Sequence, residues 1–391
     1  MIFNNVKLSE ITSKIGDGLH GSPIYDDNGE YYFINGNNLS NGIIEIKPDT
    51  KRVSLEEYER NKRDLGDKTI LISINGTLGN IAKYNGEQVI LGKSACYLNF
   101  NDDVNIDYMR FYFMSPSFQE YLKTYANGST IKNVPLSAIR ECEIRIPSNE
   151  FQNKIVSCLK SIDDKIKLNN EINNNLYELA FKYLKEMQSN DEVTLSTFGK
   201  IQGGYAFKSK DLLDTKTNNR IIKIKNLRNE ISTDVLNSQF VEDEVIEKLD
   251  NKFKIQKGNV AIAMTGAELG KTGFIYGFDN YYINQRVGLV RGITREKELY
   301  LNVLLLSQEF QDLLNSKGYG SAQPNVSTTD IENILIQNIE DKNLAKFYEI
   351  VNPIYAKIIL NCEENLNLMQ LRDTLLPKLM NGEIDLDNIE I

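Results

Sequence analysis

The sequence contains no tryptophan, one histidine and four cysteines in 391 residues. With His20 as the one imidazole, a Ser/His/Asp triad cannot be built more than once, and a zinc site based on histidine is not expected. The four cysteines show no CxxC or other short ligand spacing, so we interpret them as buried thiols in a reducing compartment: Cys96, Cys142, Cys158 and Cys362.

Long apolar runs are also absent. No stretch approaches the roughly 18 apolar residues that a membrane span needs, and the opening residues MIFNNVKLSE have neither a basic nor an apolar signal region. We therefore expect a cytoplasmic protein. With 41% hydrophobic and 25% charged residues, the chain is ordinary for a globular protein of two to three domains.

Positive charge is outnumbered by negative charge overall and is unevenly distributed. The net charge of −9 at pH 7 argues against a protein that coats nucleic acid through bulk electrostatics. From Lys200 to Arg228, however, eight lysines and arginines accompany only Asp211 and Asp214. A local basic surface in the second half of the chain is therefore compatible with the acidic average.

The chain contains an internal duplication. GSTIKNV at 128–134 matches GSAQPNV at 320–326, an offset of 192 residues. ISINGTLGNIAKY at 72–84 matches IAMTGAELGKTGFIY at 262–276, and KLSEI near the start matches TLSTF at 194–198. Because several separated stretches repeat with a domain-sized period, a whole domain is duplicated and the chain is not a solenoid.

Each copy begins with short strand-like runs that are interrupted by glycine and asparagine. They are EYYFIN, KTILISI and QVILGKSACYLNF in the first copy, and RIIKIKN, GNVAIAMTG and YYINQRVGLVRG in the second. Helical stretches follow, IDYMRFYFMSPSFQEYLKTYA and LYLNVLLLSQEFQDLLNS, and then the Gly-Ser loop and a final strand, CEIRIP or ILIQNI. The pattern predicts a mixed α/β domain of roughly 140 residues in each copy.

A long helix is predicted after each domain. Residues 148–189 contain no glycine or proline, and apolar residues recur at steps of four and three, which indicates a heptad seam. The seam positions are Ile155, Leu159, Ile162, Ile166, Leu176, Leu179, Tyr183 and Met187, and in the second copy Phe347, Val351, Ile354, Ile358, Leu368, Leu371, Leu375 and Leu379. A helix of about 40 residues runs roughly 60 Å. The obvious partner of each helix is the other one.

Asparagines occupy the gap in both seams, at Asn169, Asn173, Asn361 and Asn365. Buried asparagines would fix the register and the orientation of the pair, although a solvated helix face is an equally consistent interpretation. The predicted fold is α+β: two tandem mixed α/β domains, each followed by a long helix, with the helices pairing as an antiparallel coiled coil with pseudo-twofold symmetry. The predicted boundaries are 1–147, 148–189, 190–339 and 340–391.

The order of several motifs resembles a known family. The paired loops GSTIKNV and GSAQPNV, the helix entry FQNKIVSCLKSIDDKI and the closing LLPKLMNGEIDL resemble the specificity subunit of type I restriction-modification systems, over essentially the whole chain. The resemblance implies two target recognition domains, each reading one half of a split double-stranded DNA site. It also implies that the helices set the spacer and dock two methylation subunits, through which restriction subunits join. S-adenosylmethionine, ATP and Mg are expected on these partners, and no cofactor on this chain.

Base reading requires hydrogen-bonding side chains on loops, together with lysine or arginine for phosphates. In the first copy the candidates are Lys14, His20, Asn35, Asn37, Asn38, Thr77, Lys93, Ser94, Thr130, Lys132 and Asn133. In the second copy they are Tyr205, Phe207, Lys208, Lys223, Asn226, Arg228, Lys271, Gln285, Arg286, Ser321, Gln323 and Asn325. Each position is equally consistent with a turn residue or a solvated charge, and Tyr205 and Phe207 with the core.

The chain is predicted to be non-catalytic. NPIY at 352–355 resembles the NPPY motif of DNA adenine methyltransferases, but it lacks the second proline and falls within the heptad run. No GxxxxGK[ST] motif and no glycine-rich S-adenosylmethionine loop is present. Two alternatives stay open: the specificity subunit of a two-subunit restriction system outside type I, and a coiled-coil interaction scaffold without DNA recognition.

Overall fold

The computed structural model describes residues 3–40, 42–47, 49–128, 131–228, 231–318, 325–384 and 386. Three of the candidate DNA-contacting residues, Thr130, Ser321 and Gln323, lie outside these ranges. The chain divides into two compact units, Met1–Asp163 with Gln370–Ile391, and Asp164–Met369. The first unit therefore includes the carboxyl end of the chain.

The first copy contains eleven strands and four short helices within its described residues. The strands are β1 Phe3–Lys7, β2 Thr12–Asp17, β3 Tyr31–Ile34, β4 Leu39–Ser40, β5 Ile43–Ile44, β6 Arg52–Val53, β7 Thr69–Ser73, β8 Ile81–Lys83, β9 Val89–Leu91, β10 Ala95–Phe100 and β11 Glu143–Pro147. The helices are α1 Leu55–Asn61, α2 Ile106–Met114, α3 Pro116–Tyr125 and α4 Leu136–Glu141. The long helix α5, Asn149–Met187, follows.

The second copy has a similar order, with ten strands among its described residues. Its strands are β12 Glu192–Thr194, β13 Gly199–Gly203, β14 Leu212–Leu213, β15 Asn219–Ile222, β16 Gln239–Val241, β17 Val260–Ala263, β18 Thr272–Phe274, β19 Tyr281–Ile283, β20 Val287–Gly292 and β21 Leu335–Gln337. Its helices are α6 Asp243–Ile246, α7 Arg295–Leu305, α8 Gln308–Gly318 and α9 Thr328–Glu332. The long helix α10 spans Asp341–Asn381.

The sheets of the two copies correspond. An antiparallel sheet in the order β2-β10-β7-β8 recurs as β13-β20-β17-β18. A smaller sheet contains one parallel pair in each copy, β3 with β9 and β15 with β19. The first and last strands of each copy also pair, β1 with β11 and β12 with β21. The duplication therefore extends from sequence to topology.

The predicted helical stretch of each copy is broken once. Ser115 ends α2, and its hydroxyl accepts a hydrogen bond from the amide of Phe118 at 3.5 Å, with Pro116 at the first position of α3. In the second copy, the hydroxyl of Ser307 accepts a hydrogen bond from the amide of Phe310 at 3.2 Å, between α7 and α8. A serine cap satisfies amides at a helix start, and proline fits there because it lacks one. Each stretch thus becomes two helices.

The long helices complete the hydrophobic core of each unit. In the first unit, Ile155 and Leu159 of α5 pack with Leu376 and Leu379 of α10 and with the domain core. In the second unit, Ala180 and Leu184 of α5 join a core that contains a run of α10 residues: Phe347, Val351, Tyr355, Ile358, Cys362 and Leu366. The helices are therefore integral parts of both units.

Within the second unit, α5 and α10 run antiparallel across a polar layer. Nδ2 of Asn169 donates to Oδ1 of Asn365 at 2.9 Å, and Nδ2 of Asn361 donates to Oδ1 of Asn173 at 2.8 Å. All four side chains are between 1% and 5% exposed. The solvated-face interpretation of these asparagines is therefore wrong.

Two predicted seam positions, Leu179 and Leu371, are wrong, because they lie on the exposed side of their helices. Leu179 and Leu371 are 41% and 47% exposed, whereas Ala180 and Leu184 are buried. Steps of three and four from Asn173 lead through Leu176 to Ala180, so the heptad rhythm continues through the asparagines without a break. The error arose because alanine is a weak hydrophobic signal and a neighbouring leucine a strong one.

Different contacts attach the helices to the two domains. In the first unit, Asp163 of α5 accepts hydrogen bonds from Arg110 of α2 and Arg372 of α10, both at 3.1 Å. At the position corresponding to Asp163 the second copy has Tyr355, whose hydroxyl donates to the carbonyl of Gly258 at 2.7 Å. At this equivalent position the contact is ionic in the first copy and neutral in the second.

Candidate functional site

Four backbone hydrogen bonds bring five separate segments of the first copy side by side. They run from Leu19 N to Leu91 O at 2.7 Å, from Gly92 N to Ile34 O at 2.8 Å, from Ile74 N to Ser94 O at 3.0 Å, and from Val134 N to Ile74 O at 2.8 Å. We call this set the loop ladder. It gathers the ends of β2, β3, β7 and β9 with the segment before α4.

The second copy contains the same loop ladder. Its bonds run from Tyr205 N to Ile283 O at 2.9 Å, from Asn284 N to Ile222 O at 3.1 Å, from Met264 N to Arg286 O at 3.1 Å, and from Val326 N to Met264 O at 3.0 Å. Backbone atoms make all of these bonds, so the side chains on the ladder can differ while the frame stays constant. The two ladders carry different side chains at most positions.

Glycine permits the first rung of each ladder. A Cβ atom on Gly18 would lie 2.1 Å from the carbonyl oxygen of Leu91, and one on Gly204 would lie 2.1 Å from that of Asn284. No real Cβ makes such a contact, so any side chain here would push the two segments apart.

Two buried asparagines hold the loop that follows β3 or β15. Oδ1 of Asn38 accepts from the amide of Asn35 at 3.0 Å, and its Nδ2 donates to the carbonyl of Glu45 at 3.1 Å. Asn226 makes the equivalent bonds: its Oδ1 accepts from the amide of Lys223 at 3.0 Å, and its Nδ2 donates to the carbonyl of Asp234 at 3.0 Å. Because both side chains are almost fully buried and bonded to their own loops, their position argues against a base contact and corrects their prediction as contact residues.

The other first-copy candidates divide by exposure. His20, Asn37, Thr77, Lys93 and Lys132 are exposed on or next to the ladder. Lys14 is exposed in the middle of β2, outside the ladder, with its ammonium 6.0 Å from the ring centroid of Tyr97.

Ser94, Asn35 and Asn133 are half-buried and already hydrogen-bonded. Oγ of Ser94 accepts from Gly36 N at 2.8 Å and donates to Oδ1 of Asn35 at 3.0 Å. Oδ1 of Asn133 accepts from Nδ2 of Asn75 at 3.3 Å. These side chains shape the loops more than they face solvent.

The second-copy candidates carry more positive charge, and much of it is partnered. Arg228 pairs with Asp234, Lys271 pairs with Glu268, and Nζ of Lys223 donates to Oε1 of Gln239. Burial lowers the pKa of Lys223, and the neighbouring charge of Lys225 adds to this effect.

Tyr205, Lys208, Gln285, Arg286 and Asn325 are exposed. Phe207 is 8% exposed and packs in a small core with Ile221 and Val241. The prediction of Phe207 as a contact residue is thereby corrected, since its ring is taken up by the core.

Sequence reasoning missed several ladder residues. Nδ2 of Asn80 donates to the carbonyl of Gly36 at 2.9 Å and ties two loops together, and the residue at its position in the second copy is Lys271. Asn284 lies on the ladder, and Asn75 lies directly after its Ile74 and pairs with Asn133. Asn75 precedes the turn glycine Gly76, whose φ is +75°. An asparagine next to such a turn was the available signal.

The described residues show no metal-binding or membrane feature. No cluster of three His, Cys, Asp or Glu side chains that could hold a metal ion occurs among them. None of their helices is long and apolar enough to cross a membrane.

The NPIY motif lies within α10 and not on a loop. On the same helix, burial raises the pKa of the Cys362 thiol to about 12.

A family model described as the type I restriction modification DNA specificity domain matches this chain twice, over residues 3–178 and 187–364. The chain belongs to this family. It is a type I restriction-modification specificity subunit with two repeated recognition domains. Specificity subunits of this kind are non-catalytic.

One curated relative supports the assignment, and one solved structure shares the fold. This chain is 25% identical over 312 residues to the type I restriction enzyme MjaIX specificity subunit of Methanocaldococcus jannaschii, and the match covers 74% of this chain and 71% of that protein. The crystal structure of the type I restriction-modification system S subunit from M. genitalium matches with a TM-score of 0.51 at 18% identity, over 97% of this chain and 96% of that one. The second comparison shows that the fold is shared.

Proposed function

We propose that each recognition domain of this specificity subunit reads one half of a bipartite double-stranded DNA site through its loop ladder. The observation that carries the proposal is the repetition of one backbone frame with different side chains, because a shared frame with variable side chains suits two half-sites of different sequence. The proposed domains are residues 1–147 and 190–339, with the helices at 148–189 and 340–391 between and after them.

We assign the contacts to ladder side chains that are not fully buried. They are His20, Asn35, Asn37, Thr77, Lys93, Ser94, Lys132 and Asn133 in the first domain, and Tyr205, Lys208, Lys223, Arg228, Lys271, Gln285, Arg286 and Asn325 in the second. Thr130, Ser321 and Gln323 are proposed from sequence alone. Lys14, outside the ladder, suits a phosphate contact.

The chain's net charge of −9 bears on affinity. Phosphate contacts supply most nonspecific affinity for DNA, and proteins that bind DNA alone are commonly basic on the binding face. We propose that the isolated subunit binds its site weakly and that methylation subunits, by closing around the duplex, raise the affinity for DNA. Tight binding by the isolated protein at physiological salt would contradict this proposal.

The outer faces of the helices support docking of two like partners. Leu168 and Leu360 occupy the same position in the duplication and are 50% and 59% exposed, and Leu179 and Leu371 are likewise equivalent and exposed. Eleven residues make about three helical turns, so the two leucines of each helix share a face. Two equivalent pairs of exposed leucines fit two copies of one partner.

We propose that these partners are two methylation subunits carrying S-adenosylmethionine. Restriction subunits, with ATP and Mg, would join through them. DNA as the proposed ligand makes the cytoplasm the proposed location.

The test is base-resolution mapping of DNA methylation in cells with this gene and its neighbouring methyltransferase, against cells in which this gene alone is deleted. A split motif with two short halves and a fixed gap should appear only with the gene. Exchanging one repeat should change one half. If no motif depends on the gene, the protein has another role, such as an interaction scaffold.

A further inference from the structure

The two ladders differ sharply at one equivalent point. The carbonyl of Ser94 and the carbonyl of Arg286 accept the same ladder bond, from Ile74 and Met264 respectively. The Ser94 hydroxyl is occupied within the domain by Gly36 and Asn35. The Arg286 side chain is exposed. One frame therefore presents an internally satisfied hydroxyl in the first domain and an outward guanidinium in the second.

The backbone that carries Arg286 is held from both sides. Val287 N donates to Asn284 O at 2.8 Å, which closes a tight turn, and Asn284 N is bonded to Ile222 O. Ile283 and Val287, which flank the turn, are fully buried. A fixed backbone under an exposed side chain limits the entropy that Arg286 loses on engaging a ligand.

Arg286 differs from three other candidate cations of the second domain, Lys223, Arg228 and Lys271. Arg228, Lys271 and Lys223 are engaged by Asp234, Glu268 and Gln239. Among the described residues, none forms an ion pair or hydrogen bond with the Arg286 guanidinium. An arginine fork donates two parallel hydrogen bonds to O6 and N7 of guanine, a pattern that no other base offers in the major groove.

We propose that Arg286 reads a guanine in the half-site of the second recognition domain, and that Ser94, whose hydroxyl is bonded within the first domain, supplies no equivalent guanine contact there. This inference rests on the proposed function, since it assigns a base to the proposed site. The proposal requires a guanine in the second half-site. In the first domain, Lys93 is then the side chain of the equivalent turn that faces the half-site.

The experiment maps methylation at base resolution in cells carrying the wild-type gene, Arg286→Gln or Arg286→Lys, each with the neighbouring methyltransferase. With Arg286→Gln, one guanine position in one half-site should become degenerate, with discrimination falling roughly tenfold or more, while the other half and the gap stay unchanged. Arg286→Lys keeps the charge but loses the planar fork, so it should also relax that position.

Arg295→Gln is the matched control. Arg295 is an exposed arginine of the same domain, and it lies beyond the far end of β20, roughly 20 Å of strand from Arg286. The control should keep the wild-type motif. Thermal unfolding of each purified variant within the complex shows whether the domain is folded, so that a lost motif is not mistaken for a changed one.

Three results would overturn the assignment. One is a wild-type motif without guanine in either half. Another is an unchanged motif with uniformly weaker methylation in Arg286→Gln and normal methylation in Arg286→Lys, since a phosphate contact depends on charge alone. The third is an unchanged motif at full methylation in both variants. If the wild-type gene produces no split motif at all, the proposed function fails and this inference fails with it.

Discussion

Nδ2 of Asn361 donates to Oδ1 of Asn173 across the antiparallel helix pair at 2.8 Å, and both amides are almost fully buried. Nδ2 of Asn173 is itself directed to Sγ of Cys362 at 3.4 Å. A buried amide costs stability unless it is bonded, so the pair favours the one register in which both partners meet.

Asn361→Ala should therefore destabilise the protein by about 1–3 kcal/mol, because Oδ1 of Asn173 would remain buried without a donor. Chemical denaturation of the purified protein measures the change. Asn174→Ala is the control, since Asn174 is an exposed asparagine of α5, next to Asn173, and alanine favours helix there. Equal midpoints for the two variants would show that the buried bond contributes nothing.

Asp163→Asn should lower the free energy of unfolding by about 2–3 kcal/mol, because two guanidinium groups would lose their shared carboxylate. The value lies somewhat below the ~3–5 kcal/mol expected at complete burial, since the three side chains keep 13% to 20% of their exposure.

Tyr355→Phe, at the equivalent point of the second copy, should cost only about 1 kcal/mol, since the Gly258 carbonyl keeps its bond from Asn302 at 3.1 Å. Denaturation at low and high salt compares the two variants. Screening should weaken the ionic attachment and leave the neutral one unaffected. An equal salt dependence of both losses would contradict this difference.

Leu168→Asp combined with Leu360→Asp should reduce methylation by the assembled complex about tenfold or more, because a desolvated charge opposes docking of a methylation subunit. Both leucines are half-exposed, so folding should be preserved. Leu335→Asp, an equally exposed leucine on β21, is the control. Normal co-purification of methylation subunits with the double variant would exclude this face as the docking surface.

Insertion of four residues into both long helices should lengthen the gap between the half-sites and keep both halves. Four residues add roughly 6 Å of rise, which corresponds to one or two base pairs. Methylation mapping reads the gap directly. An unchanged gap would mean that another part of the protein sets the spacing.

The sequence predicted the duplication, the family and most elements, because these depend on local patterns that repeat. The long-helix prediction at 148–189 differs from α5, Asn149–Met187, by two residues or fewer at each end. The strand-like run QVILGKSACYLNF forms two strands, β9 and β10, around the turn at Gly92, and apolar residues continue on both sides of that turn.

The candidate site was harder to predict from sequence. Asn38 and Asn226 look like contact residues since they stand in polar loops, yet their amides turn inward to bond backbone that lies seven or eight residues further along the chain. Phe207 follows Tyr205 by two residues, and only the tertiary packing decides that one ring is buried and the other exposed. Side-chain direction in a loop depends on distant segments, which a local pattern does not contain.

The core of the first unit has a consequence for synthesis in the cell. Leu376, Leu379, Met380 and Leu386 belong to that core, although the rest of the unit precedes residue 164. At a translation rate of roughly 5–20 residues per second, the last of these side chains is made on the order of 10–50 s after the first part of the unit. The amino-terminal domain therefore stays incompletely buried on the ribosome, and a premature stop near the carboxyl end leaves it with an open core.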